Sequence, residues 1–147
     1  EIVYRGPTLM KEYYKKPEET KEAFIGGWFH SGDLVSMDEE GFVYVRDRKK
    51  DMIISAGENI YPAEVEGVLY KHEAIFEAAV VGVPDEQWGE SVKAYIVLKE
   101  GYTLTKQEVI DHCAKLLASY KKPKYVEFID QLPRNASGKI LKRLLKQ

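Results

Sequence analysis

The chain has 147 residues, a formal net charge of −2, 44% hydrophobic and 31% charged residues, and one cysteine. That length is enough for one compact domain plus an appendage and too little for two large ones, because such a chain buries about two thirds of its unfolded surface. No apolar run approaches the ~20 residues of a membrane span; the first residues do not read as a basic-then-apolar secretory start, and a single cysteine can form neither an internal disulfide nor a metal cluster.

Glu1 to Met10 is predicted as a strand ending near Gly6-Pro7. It opens at Glu1-Ile2-Val3 without a methionine, so the chain is expected to be a piece of something longer. Lys16-Pro17-Glu18-Glu19-Thr20 opens a short helix to about Phe24, acidic in its first turn, and Gly26-Gly27 ends it. Trp28-Phe29 and Leu34-Val35 flank the loop His30-Ser31-Gly32-Asp33, and Asp38-Glu39-Glu40-Gly41 turns into a strand from Phe42 to Val45. Two strands and one helix bury too little to stand alone, so this region is expected to be the edge of a larger body.

Arg46 to Asp51 are six charged residues in a row, predicted as a solvated connector that enters a strand at Met52-Ile53-Ile54. Ser55-Ala56-Gly57-Glu58-Asn59 reads as a loop whose glycine reaches backbone angles closed to other residues. Pro62 suits the first turn of a helix, with Val65, Val68 and Leu69 on one face and Glu64 and Glu66 near its positive end. Ala78 to Val83 is predicted as a buried strand stopped by Pro84, with Asp85-Glu86 as its turn. Val92, Ala94, Ile96 and Leu98 alternate with Lys93, Tyr95, Val97 and Lys99, a strand covering one face of a sheet. Thr105-Lys106-Gln107-Glu108 has the form of a capping box opening a helix to about Ser119. Val126 to Ile129 is a third strand, and Gly138 to Lys146 a closing helix with Ile140, Leu141, Leu144 and Leu145 on one side.

From Lys115 to Gln147 nine basic and two acidic residues give a balance of +7, which leaves −9 for the rest. A basic end suits a polyanion such as ATP, coenzyme A or nucleic acid, although charge runs are most often solvated faces. Tyr120, Tyr125 and Phe128 lie among those lysines as bases for stacking, yet Tyr125 to Ile129 also has the spacing of an ordinary strand. Cys113, beside Val109, Ile110, Leu116 and Leu117, reads as a core thiol. His30, His72 and His112 share no metal-ligand spacing, and the last two are predicted on helices as satisfied or surface groups.

Three motifs in fixed order cover nearly the whole chain: Trp28-Phe29-His30-Ser31-Gly32-Asp33, then Val45 to Glu66 (VRDRKKDMIISAGENIYPAEVE), then Pro133-Arg134-Asn135-Ala136-Ser137-Gly138-Lys139. With them the sequence resembles the adenylate-forming superfamily of acyl-CoA synthetases, adenylation domains and luciferases, and most of all its AMP-forming fatty-acid or medium-chain acyl-CoA synthetases. The resemblance implies an α+β fold: a small C-terminal domain with a mostly antiparallel sheet of about three strands flanked by helices. A strand-rich remnant of a large N-terminal domain would precede it. Residues 1–49 would be the trailing edge of the adenylating domain and 50–147 a mobile lid.

The resemblance also implies residue roles. Lys139 would bridge the substrate carboxylate and the α-phosphate of ATP during adenylation; a unit charge about 4 Å away is worth on the order of 4 kcal/mol at a dielectric near 20. Asp33 and Arg48 would hold the adenylate ribose, the arginine fork fitting two oxygens better than lysine would. Lys50 would be the hinge about which the lid turns between half-reactions, and Gly57, Glu58 and Asn59 the loop that then meets coenzyme A. Taken singly, each has a plainer reading: Lys139 a surface lysine, Asp33 a turn aspartate, Arg48 and Lys50 charges of a solvated connector. Two departures stand out: His30-Ser31 where the family more often has Arg-Thr, and Ala56-Gly57 where it commonly has Gly-Gly.

ATP or AMP, Mg²⁺ and coenzyme A are the implied cofactors and a small-molecule acid the substrate, with no metal ligands in this chain, no nucleic acid and no membrane span. The upstream N-terminal domain is the implied partner, and a cytoplasmic setting is expected, with peripheral membrane association left open. The phosphate loop and acyl pocket of the family lie far upstream, so the chain alone is expected to lack activity. The alternatives are a peptide-synthetase adenylation domain and a non-catalytic α+β binding module.

Overall fold

Alternating apolar residues on both faces of Ile75–Asp85 and Gly89–Leu98 build the central hairpin, β7 and β8, of the computed structural model, which describes residues 1–146. The chain divides into two compact units, one ending at Lys50 and the other starting at Asp51.

The first unit is strand-rich. β1 (Val3–Tyr4) pairs antiparallel with β2 (Phe29–His30), and β3 (Asp33–Met37) with β4 (Val43–Arg48). α1 spans Pro17–Ala23. Two expectations are corrected. Only Val3–Tyr4 of the first ten residues is strand, and Arg46 to Arg48 belong to β4 instead of a connector. Their charges are tolerated because the ribbon is open: Arg46 Nε donates to Ser36 Oγ at 2.7 Å, and Arg48 pairs with Asp33. No side chain of residues 1–50 is fully buried, and Met37, Phe42 and Val45 stand mostly exposed.

The second unit has a real core. β5 (Ile53–Ser55) and β6 (Glu58–Ile60) form a hairpin, and the sheet runs β6-β5-β8-β7, with β9 (Tyr125–Phe128) pairing in parallel with Lys93 to Ile96 of β8. The sheet is mixed α+β as expected, but it has five strands where about three were predicted. α2 (Pro62–Leu69) and α3 (Lys106–Leu116) belong to the main core, with Ile53, Val65, Leu69, Val80, Ile96, Val109 and Cys113 wholly or nearly wholly buried. The capping box at Thr105 forms: Thr105 Oγ1 accepts from the Glu108 amide and Glu108 from the Thr105 amide. β8 was predicted to cover one face only. Its second face is also covered, Tyr95 and Val97 packing with Ala79, Val81, Leu132 and Leu145.

Pro84 does not stop β7. It pairs opposite Glu90 and shares the parity of Ala78 and Val80, whose amides bond outside the sheet to Tyr70 and Glu66. β7 is an edge strand, so the missing N–H of Pro84 points where no partner strand needs it. The tail is not a helix over 138–146 either. Gly138 has φ +81, Arg134 bridges to Ile140, and only Lys142–Leu144 makes a single 3-10 turn. His112 lies on α3, but His72 lies beyond the end of α2 and accepts from the Ala74 amide.

Candidate functional site

In the first unit, β3 and β4 bring Asp33 and Arg48 together. The two are register partners, and Arg48 Nε lies 2.7 Å from Asp33 Oδ1. Gly32, at φ +75, turns the chain just before Asp33, and a Cβ there would lie 3.8 Å from the Arg48 guanidinium. Ser31 donates to the Ile2 carbonyl at 2.8 Å and accepts from the Asp33 amide at 3.0 Å, so its hydroxyl fixes the loop that carries Asp33. His30 and Lys49 both reach the Glu1 carboxylate, which these contacts hold down to about 2. Lys50 lies in a 3-10 turn, Lys49–Asp51, between β4 and β5, at the boundary of the two units.

In the second unit the predicted loop 55–59 is a tight hairpin. Ser55 pairs with Glu58 and Ile54 with Asn59, leaving Ala56 (φ +52) and Gly57 (φ +82) as a two-residue turn. Positive φ at both central residues is the geometry that matches the twist of paired strands. Gly57, Glu58 and Asn59 are all exposed. Beside the turn is a cleft of about 300 Å³ lined by Ala56, Glu58, Trp88, Tyr120, Lys122 and Lys124, with the Ala56 amide donating to the Trp88 carbonyl at 2.8 Å. Sequence reasoning placed Trp88 and Lys122 in no site, for the cleft exists only because Gly89 of β8 pairs with Ser55. A larger recess of about 450 Å³ between α3 and β9 contains none of the motif residues.

Lys139 sits on a different hairpin, residues 134–140, and no hydrogen bond or ion pair joins it to the β5–β6 turn among the described residues. Its ammonium is exposed and has no ion-pair partner there. Four other cations of the basic end are in ion pairs: Lys121 with Glu64, Lys124 with Asp85, Arg134 with Glu77 and Lys142 with Glu66. These four of the nine cations are thus partly offset in space by acids remote in sequence. Cys113 is fully buried, and burial pushes its thiol up to about 11, so it is no nucleophile. No group of three or more His, Cys, Asp or Glu able to hold a metal occurs among the described residues. No helix is long and apolar enough to cross a membrane.

A small α+β unit with an exposed Gly-Lys hairpin, attached to a strand pair carrying an Asp–Arg couple, defines the class. The chain belongs to the family described as AMP-binding enzyme C-terminal domain, which matches residues 64–139. Among curated relatives it is 50% identical over 147 residues to 2-succinylbenzoate–CoA ligase of Geobacillus sp. (strain WCH70), covering all of this chain and 30% of that protein. It is 53% identical over 145 residues to a long-chain-fatty-acid–CoA ligase of Bacillus subtilis (strain 168), covering 99% of this chain and 26% of that one. Among solved structures, o-succinylbenzoate CoA synthetase (MenE) from Bacillus subtilis in complex with the acyl-adenylate intermediate OSB-AMP aligns with TM-score 0.89 at 46% identity, covering 99% of this chain and 30% of that one. The chain therefore spans less than a third of the length of these relatives.

Proposed function

We propose that the chain is the hinge-bearing C-terminal portion of an AMP-forming acyl-CoA synthetase that activates a fatty acid. The carboxylate attacks the α-phosphate of ATP, its oxygen–phosphorus bond forming as pyrophosphate leaves. The thiol sulfur of coenzyme A then attacks the acyl carbonyl, losing its proton, and AMP leaves.

The single observation that carries this reading is the presence of two exposed tips in one small unit, one carrying an ammonium with no ion-pair partner among the described residues and the other a side-chain-free glycine. Two anions meet in the first step, and the Lys139 ammonium is suited to lie between them. A thiol on a long arm must reach the carbonyl in the second, and Gly57 offers a backbone edge with no side chain in the way. Turning about Lys50 would present each tip in its turn. The cleft beside Gly57 suits the nucleotide end of coenzyme A: Trp88 and Tyr120 offer flat faces, and Lys122 a cation without a partner among the described residues. Asp33 and Arg48 together offer an acceptor and a donor to ribose hydroxyls. What supports a fatty acid is the 53% likeness to the long-chain ligase, while the equally extensive likeness to the 2-succinylbenzoate ligase makes an aromatic acid the rival substrate.

The test is an assay of the full-length enzyme with ATP, coenzyme A and a panel of fatty and aromatic acids. Acid-dependent release of AMP and pyrophosphate with thioester formation is expected. Release of ADP and phosphate would contradict the reaction class, and turnover of aromatic acids alone would contradict the fatty-acid assignment.

A further inference from the structure

The 134–140 hairpin is organised around a residue that no motif role explains. Asn135 Oδ1 accepts three hydrogen bonds: from the Ser137 amide at 3.1 Å, the Ser137 hydroxyl at 2.8 Å and the Lys139 amide at 2.9 Å. The Asn135 amide in turn donates to the Lys139 carbonyl at 3.0 Å, and its carbonyl accepts from the Gly138 amide at 2.9 Å. Both backbone polar groups of Lys139 therefore end on one side chain and one peptide of Asn135. Arg134 adds a second tie. Its guanidinium donates to the Gly138 carbonyl at 2.6 Å and also to Glu77, which belongs to β7.

These contacts lie on an exposed tip. The tail is anchored elsewhere, by buried Leu132 and Leu145, by the Tyr95 hydroxyl donating to the Leu145 carbonyl at 2.8 Å, and by the Lys142–Glu66 pair at 2.7 Å. Asn135 itself is exposed, where hydrogen bonds contribute little net stability. A cluster this dense on an exposed tip orients what the tip carries. The Lys139 side chain has no hydrogen-bond or ion-pair partner among the described residues, so the protein fixes where that side chain starts through its backbone, which is tied to Asn135 and, through Arg134 and Glu77, to the sheet.

We propose that Asn135 and Arg134 are positioning residues for Lys139, holding its backbone so that the ammonium enters the adenylation step already aimed. This rests on the reading of Lys139 as the adenylation lysine. A group misplaced by about 1 Å loses on the order of a hundredfold in rate, so loosening the tip slows the step that uses Lys139 and spares the step that does not.

The experiment uses the full-length enzyme and compares N135A, N135D, R134A and K139A. Acyl-adenylate formation is followed by pyrophosphate release without coenzyme A, thioester formation by supplying acyl-adenylate, and folding by melting temperature. N135A is expected to lower kcat for adenylation by roughly tenfold to a hundredfold, with thioester formation and melting temperature close to wild type, and R134A to give the same split. N135D keeps the acceptor oxygen and is expected to recover most of the lost rate. Unchanged adenylation in N135A, equal loss in both half-reactions, or no rescue by N135D would overturn the proposal. Unimpaired adenylation in K139A would instead overturn the reading of Lys139, so the two failures are told apart.

Discussion

Asp33 and Arg48 face each other across β3 and β4 as register partners, joined at 2.7 Å, yet their side chains stay 29% and 43% exposed. A pair that open to water contributes only about 0–1 kcal/mol to stability, so the proposed ribose contact predicts that its loss shows in nucleotide binding more than in folding. In the full-length enzyme, R48A and D33N should weaken AMP binding by roughly tenfold or more, equivalent to ~1.4 kcal/mol, and leave the melting temperature nearly unchanged. Calorimetric titration with AMP checks this. A lowered melting temperature with unaltered AMP affinity would make the pair a structural one.

Asp85 closes the β7–β8 turn. Its carboxylate accepts from Lys124 at 2.6 Å, from the Ser91 hydroxyl, and from the Gln87 and Trp88 amides at 3.0 and 3.2 Å. These partners, Lys124 first, hold it well below the usual carboxylate range. The folded state thus keeps the carboxylate ionised at pH values where the unfolded chain, with an aspartate near ~3.9, takes up a proton. Its stabilisation is complete above that value and is lost as pH falls below it. The gap in melting temperature between wild type and D85N should therefore be wide at neutral pH and narrow steadily on acidification below about 4. A gap independent of pH would show that the carboxylate's charge does not matter.

Ala56 occupies the left-handed region at φ +52, where an L-residue with a Cβ is strained by about 1 kcal/mol, whereas asparagine tolerates that geometry. Asparagine before glycine is also the favoured pair for such a turn. A56N should therefore raise the melting temperature by a few degrees, as read by calorimetry or circular dichroism. A fall would mean that Ala56 is held by packing rather than tolerated in the turn.

How far the sequence went depended on the range of the forces involved. The capping box at Thr105, the start of α2 at Pro62 and the burial of Cys113 were legible, because each rests on local geometry or a strong apolar pattern. The extension of β7 through Pro84 was not, since it depends on which side of the strand lacks a neighbour. Nor was the non-helical tail: Ile140, Leu141, Leu144 and Leu145 have helical spacing, but Leu132 and Leu145 instead cover Tyr95 and Val97 of the sheet. The ion pairs of the basic end were not legible for the same reason, its partners Glu64, Glu66, Glu77 and Asp85 being remote in sequence. Of the candidate site, the residues proposed for it came from motifs. The Trp88 and Lys122 cleft could not, because it arises from a strand pairing made at the single register point of Ser55 and Gly89.

In the proposed function one small unit serves two chemical steps from two different tips. Rapid-quench measurement of both half-reactions in the full-length enzyme, in wild type, K139A and G57L, tests it most directly. K139A should slow acyl-adenylate formation by roughly a hundredfold or more while sparing thioester formation from supplied adenylate, and G57L should do the reverse. Loss of the same half-reaction in both variants, or equal loss of both steps in K139A, would contradict the account.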